Sequence, residues 1–208
     1  MKIAFCFDLD GTLTREEILP QIAKAVGLYE EIDLLTKITM DGLITFDKSF
    51  KLRVKLLSTV PISEVKQIIS KITVDKYLQN FVKNNKDCCY IVTGNLDVWI
   101  EDFIKEKFGC GYFTSKASYD HDNLSGISHI LNKSDAVKTL KKRFDIVISI
   151  GDGMNDCSMF EISDKSLAFG GVHEPVSSLI KISDYVCYDS KSLANLLSSF
   201  KEHYTNEN

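Results

Sequence analysis

The chain alternates short apolar runs with longer stretches whose apolar residues recur at helical spacing. Lys2-Ile3-Ala4-Phe5-Cys6-Phe7 reads as a short buried strand. From there to about residue 75 the pattern is helical. Ile18, Ile22, Ala25 and Val26 recur at that spacing, as do Leu34, Leu35 and Ile38, then Phe50, Val54 and Leu57, then Val65, Ile68, Ile69 and Ile72. Gly27, Gly42 and Pro61 interrupt these groups. About four short helices between the first and second strands exceed what a simple crossover needs. Residues 15–75 are therefore expected to form a helical cap, inserted into a core made of residues 1–14 and 76–208.

The second strand is predicted at residues 87–93, with its helix from 96 to about 108. Alternation across 112–130 around Asp120-His121-Asp122-Asn123 predicts a hairpin with a polar tip, where His121 is a solvated turn residue. A helix over 132–143 precedes a strand over 145–150. Further strands are expected at 166–169 and 185–188, with a helix starting near Pro175. A terminal helix ends near Phe200, and polar residues 202–208 are expected to fray. Alternating strands and helices favour an α/β fold built on a parallel sheet.

The chemistry sits at two strand ends. Asp8 and Asp10 follow the first apolar run, at a turn opened by Gly11. Asp152 and Asp156 follow the 145–150 strand, in Gly151-Asp152-Gly153-Met154-Asn155-Asp156. Open α/β sheets build their crevices at the carboxyl ends of strands. Like charges this close repel, and a divalent cation or a shared proton relieves them. If the two runs are neighbouring parallel strands, four carboxylates converge on an oxygen-rich site suited to magnesium. Either cluster alone reads equally well as a turn and a helix N-cap.

Composition narrows the classes. With 208 residues there is room for one α/β core and a small inserted subdomain. Hydrophobic content of 44% and charged content of 26% are those of an ordinary globular protein. A net charge of −4 argues against a nucleic-acid partner held through phosphates. No stretch is long and apolar enough to cross a bilayer, and the first strand begins too near Met1 to leave room for a signal peptide. Cys6, Cys88, Cys89 and Cys187 lie in apolar strand-like runs and Cys157 in a helix, with no Cys-x-x-Cys pair, so reduced thiols in a cytoplasmic protein are expected.

Phe7-Asp8-Leu9-Asp10-Gly11-Thr12-Leu13-Thr14 and Gly151-Asp152-Gly153-Met154-Asn155-Asp156 resemble the first and last motifs of the haloacid dehalogenase superfamily of phosphotransferases. Cys89-Tyr90-Ile91-Val92-Thr93-Gly94 resembles its middle strand ending in Ser or Thr, and Lys133 its helix-opening lysine. The resemblance implies a three-layer Rossmann-like core and Mg²⁺-dependent phosphoryl transfer. It makes Asp8 the nucleophile, forming an aspartyl-phosphate. Asp10 becomes the general acid and base, its pKa raised by crowding from Asp8 and Glu17. Asp8, Asp152 and a backbone carbonyl near Asp10 would hold the metal. Asp156 would act on it directly or behind its ligands, and Asn155 would orient a ligand or Lys133. Thr93, Gly94 at the start of its helix, and Lys133 would bind the phosphoryl group.

Within the superfamily the chain resembles phosphoserine phosphatases. Glu17 matches an acidic cap position and Arg53 an arginine on a later cap helix. Their chemistry implies an α-ammonium on Glu17 and an α-carboxylate on Arg53, with Met40 and Phe46 walling the pocket. One departure is Thr93-Gly94-Asn95 where the relatives have Ser-Gly-Gly, which adds the bulk of Asn95 where backbone approaches substrate. Another is the loop Gly170-Gly171-Val172-His173-Glu174-Pro175, where His173 reads as a helix flank or reaches the crevice rim. The expected partner is a small phosphorylated metabolite, met by a monomer or homodimer. Phosphotransfer to an alcohol such as homoserine, another metabolite as substrate, and a catalytically silent metal-binding module remain the alternatives. A protein substrate is disfavoured by the cap roof.

Overall fold

The computed structural model of the chain describes residues 1–40 and 43–206, the side chains of Met40 and Asn206 excepted. Gly42 lies outside the described residues. The chain runs β1 (Ile3–Phe7), α1 (Ile18–Ala25), α2 (Tyr29–Met40), α3 (Phe46–Leu57), α4 (Ile62–Ile69), α5 (Lys76–Asn84), β2 (Cys89–Leu96) and α6 (Asp97–Lys107). It continues through β3 (Gly111–Asp120), β4 (Asn123–His129), α7 (Lys133–Leu140), β5 (Ile146–Gly151) and a short α8 (Cys157–Phe160). It closes with β6 (Lys165–Phe169), α9 (Ser177–Ile182), β7 (Tyr185–Cys187) and α10 (Ser190–Asn206).

Among the described residues the strands form one seven-stranded sheet in the order β4-β3-β2-β1-β5-β6-β7. Every pairing is parallel except the β3–β4 hairpin at the edge, where His121 takes φ +53°. Strand alternation sorts the core into two layers of helices. Ile3, Phe5 and Phe7 point into one apolar cluster, with Leu78 and Phe81 of α5, Trp99 of α6 and Leu193 of α10. Ala4 and Cys6 point into the other, with Val137 of α7, Met159 of α8 and Leu179 of α9. A central strand covered on both faces must be apolar throughout, which is why β1 carries no polar residue before Asp8. β2 and β5 flank β1 on opposite sides, so the crevice at their carboxyl ends is a topological switch point.

Helices α1, α2 and α3 line that crevice from above, and α4 packs against α1 and α6. The two ends of this insertion are tied together by an antiparallel bridge between Thr14 and Val74 and by Asp75 N–H donating to the Leu13 carbonyl at 2.9 Å. Asp75 also caps α5, accepting from Tyr77 N and Leu78 N, and pairs with Arg15 at 2.5 Å. The α5 helix itself went unread in the sequence. The described residues contain no helix long and apolar enough to cross a membrane, and the six cysteines are free.

The expected fraying is corrected over residues 202–206, and residues 207–208 lie outside the described residues. α10 continues to Asn206 because its apolar stripe does: Phe200 and Tyr204 pack on the larger core cluster. The Met1 ammonium donates to the Tyr204 carbonyl at 3.0 Å, and Lys201 bonds Asn85. Removal of residues 201–208 should therefore lower stability by about 1–3 kcal/mol. Urea denaturation checks this, and an unchanged midpoint would show that the last turns contribute nothing.

Candidate active site

Asp8 is the first residue past β1, and its N–H donates to the Ile150 carbonyl of β5 at 2.9 Å. The in-register parallel pairing of β1 with β5 brings the two acidic motifs side by side. Carboxylate oxygens of Asp8, Asp152 and Asp156 lie within 4.8 Å of one another, and the three residues are buried. Gly11 takes φ +70°, and a Cβ there would stand 2.7 Å from Asp152 Oδ2, so the first motif needs glycine for both its turn and its neighbour. Thr12, overlooked as a site residue, donates its hydroxyl to Asp152 Oδ1 at 3.0 Å and couples the motifs directly.

Lys133 opens α7 behind its Asn132 cap, with its side chain buried. Its ammonium donates to Asp8 Oδ1 and to Asp156 Oδ1, each at 2.6 Å. Burial lowers its pKa, but the two carboxylates outweigh burial and the net shift is upward. The other oxygen of Asp156 accepts from the backbone N–H groups of Asp152 and Gly153 at 3.0 and 2.9 Å. Asp156 thus shapes the turn that presents Asp152 and holds Lys133 in place. Asn155 lines the crevice and makes no bond to Lys133.

The carboxylates remain overcharged. Burial first, then Asp156 and Asp10, push the Asp8 carboxyl up to about 8 against the pull of Lys133. Burial, Asp8 and Asp156 raise Asp152 well above the usual range. Asp10 is also raised, and burial is the leading cause, beside its mutual repulsion with Asp8 and Glu17. A hydrogen bond from Ile18 N–H to Asp10 Oδ1 at 2.8 Å, Lys133, Asn95 and Arg53 all pull it back. A crowded set of hard oxygen donors with one lysine among them suits a hard divalent cation.

Thr93 and Gly94 lie in β2, and α6 starts only at Asp97 behind a Leu96 cap. Neither residue is at a helix start, because the strand runs on through Leu96. The Thr93 hydroxyl oxygen accepts from Asn95 N at 3.2 Å. A Cβ on Gly94 would meet the Phe46 ring at 2.7 Å, so glycine lets the first residue of α3 descend onto the core. Phe46 stacks on Phe50 with ring centroids 5.5 Å apart.

These groups face a cavity of about 730 Å³, with Asp8, Asp10 and Asp152 at its base and Glu17, Phe46 and Arg53 in its roof. Arg53 is 8% exposed and its Nε has no partner. Its guanidinium sits 5.9 Å from the Phe46 ring centre, and Nη1 reaches Thr36 Oγ1 only at 3.5 Å. Burial pushes the Glu17 carboxyl up, with Asp10 and Asp8 adding to it. His173 reaches the rim, with Nε2 3.6 Å from Glu17 Oε1, while α9 begins at Ser177 as a separate feature. Met40 ends α2, and its side chain lies outside the described residues.

The repulsion has a measurable consequence. Asp152→Asn keeps the acceptor for Thr12 and removes one buried charge, so the metal-free variant should melt about 2–4 °C higher than the parent. Magnesium chloride should raise the melting temperature of the parent and not of the variant. Thermal denaturation with and without chelator reads both, and an equal magnesium shift in the two proteins would take Asp152 out of any cation site.

Comparison with known proteins agrees with this geometry. The model of the family described as haloacid dehalogenase-like hydrolase matches residues 4–164. A phosphoserine phosphatase of Methanocaldococcus jannaschii is 29% identical over 96% of this chain and 98% of its own. One of Archaeoglobus fulgidus is 30% identical over 81% of this chain and 52% of its own. A solved phospho-aspartyl intermediate analogue of phosphoserine phosphatase superposes with a TM-score of 0.79 at 28% identity, covering 95% of this chain and 98% of that one. A substrate-bound phosphoserine phosphatase complex gives 0.80 at 27% identity, covering 95% and 97%. The chain belongs to the haloacid dehalogenase-like hydrolases.

Proposed function

We propose that this hydrolase is a Mg²⁺-dependent phosphomonoesterase that acts on O-phosphoserine through an aspartyl-phosphate. The observation that carries the substrate is the pairing of a buried, underbonded Arg53 with Glu17 in the roof, above Asp8. A buried guanidinium with a free Nε calls for an anionic partner, and a carboxylate engages it through parallel hydrogen bonds. Glu17 offers an acceptor for an ammonium. A phosphorylated amino acid supplies both charges and a phosphate for the crevice floor. The relatives named phosphoserine phosphatase, and the substrate-bound neighbour, support this choice.

Asp8, Asp152 and the backbone near Asp10 would hold the magnesium ion, with Asp156 acting behind them. Bound there, it would neutralise the phosphate dianion and let the carboxylates ionise at neutral pH. An oxygen of Asp8 attacks phosphorus as the bond to the serine oxygen breaks. Asp10 gives its proton to that departing oxygen. Water then loses a proton to Asp10 and attacks the aspartyl-phosphate, releasing inorganic phosphate and free Asp8. Lys133 holds Asp8 in line and balances charge on the phosphoryl oxygens. Thr93 and the Gly94 N–H donate to the same group. Phe46 and Asn155 line the pocket.

Asp8→Asn should abolish phosphate release, by more than about a thousandfold, with an unchanged circular dichroism spectrum. Turnover retained by that variant would remove Asp8 as nucleophile. Arg53→Ala should raise KM for phosphoserine by about tenfold or more while changing KM for a phosphomonoester without an α-carboxylate much less. Equal effects on both substrates, or a panel in which phosphoserine ranks low, would overturn the amino-acid reading.

A further inference from the structure

Asn95 sits where the resemblance expects glycine, and the fold turns its side chain onto the acid–base residue. It is 5% exposed at the end of β2. Its Nδ2 donates a hydrogen bond to Asp10 Oδ2 and another, at 3.3 Å, to Thr93 Oγ1. Its backbone N–H donates to the same Thr93 oxygen at 3.2 Å. Toward ionised Asp10 the amide presents its nitrogen, because the flipped amide would set oxygen against a carboxylate. The other oxygen of Asp10 is held from a different element, by Ile18 N–H at the start of α1.

We propose that Asn95 is a positioning residue that aims Asp10 at the leaving group; this rests on the phosphomonoesterase reading above. A carboxylate held at one oxygen pivots, and held at both it does not. The Ile18 anchor belongs to the helices over the crevice, and the Asn95 anchor belongs to the sheet. Only the second shares a partner with the phosphoryl site, through Thr93. One side chain thereby sets the spacing between the group that binds phosphate and the group that delivers the proton. Glycine at this position has no side-chain donor to hold Asp10 Oδ2. Each oxygen of Asp10 keeps another lone pair for the proton it passes on. Misplacement of such a group by about 1 Å costs up to a hundredfold in rate.

The leaving group separates this role from a general structural one. An alkyl alkoxide needs Asp10's proton as it departs, whereas p-nitrophenolate does not. The ratio of kcat/KM for the alkyl phosphate hydrolysed best to kcat/KM for p-nitrophenyl phosphate reports on phosphoryl transfer to Asp8, before water enters. In the full-length protein with magnesium, Asn95→Gly should lower this ratio by about tenfold or more, in the same direction as Asp10→Asn. Asn95→Asp, nearly isosteric, exchanges donor for acceptor and should lower it as well, which decides the matter if the glycine variant fails to fold. A uniform fall for both substrates, or an unchanged ratio in a folded variant, overturns the proposal. A parent protein that hydrolyses neither substrate overturns the phosphomonoesterase reading and the proposal together.

Discussion

Burying several carboxylates in one crevice is costly, and the interaction that makes it tolerable is the ammonium of Lys133 between Asp8 and Asp156. Two contacts of 2.6 Å fix that ammonium, and through it the angle at which Asp8 faces the cavity. The compensation is incomplete by design of the composition: more carboxylates than cations line the floor, so negative potential is left over. That surplus is what suits the site to a divalent cation and to a reaction in which phosphoryl charge must be handled. A neutral polar residue in place of Lys133 would leave the carboxylates to relieve one another by taking up protons, which would disable Asp8 for the nucleophilic role proposed for it.

The sheet exists to deliver these groups to one end. β1 is buried on both faces and pairs with β5 in register, so the residues that follow each strand emerge together. Side-chain bonds then refine what the backbone brings near: Thr12 on Asp152, Asp156 on the N–H groups of the turn, Asn95 on Asp10. The helices above contribute opposite requirements. They must exclude water and still offer polar groups, which is why Phe46 and Phe50 stack beside an arginine whose Nε is left without a partner. The close approach of Phe46 to Gly94 shows how little space separates this roof from the floor.

Much of this was legible beforehand. Strand runs of period two and helical runs of period 3.6 are local properties, and they placed β1, β2, β5 and the four helices after β1 close to where they lie. The Asp8–Asp10 and Asp152–Asp156 motifs announced their chemistry only as a set, because either alone serves equally well as a turn and a helix cap. Where the reading missed, the cause was also physical. α5 carries a clear apolar face but lies in a short polar stretch before β2. β2 runs beyond Thr93 because it pairs with β3 through a register shift that no local pattern reveals. α10 persists past Phe200 because of partners at the other end of the chain.

The amino-acid sequence by itself determined the order of elements, the apolar faces and the kinds of functional group at each strand end, since these follow from neighbours a few residues apart. Tertiary structure alone decided which oxygen each donor finds. Lys133 meets Asp8 across 125 residues, Thr12 meets Asp152 across 140, and Asn95 meets Asp10 across 85. Such partnerships depend on strand order, register and the rotamers left open by packing, quantities that come into being only when the core closes.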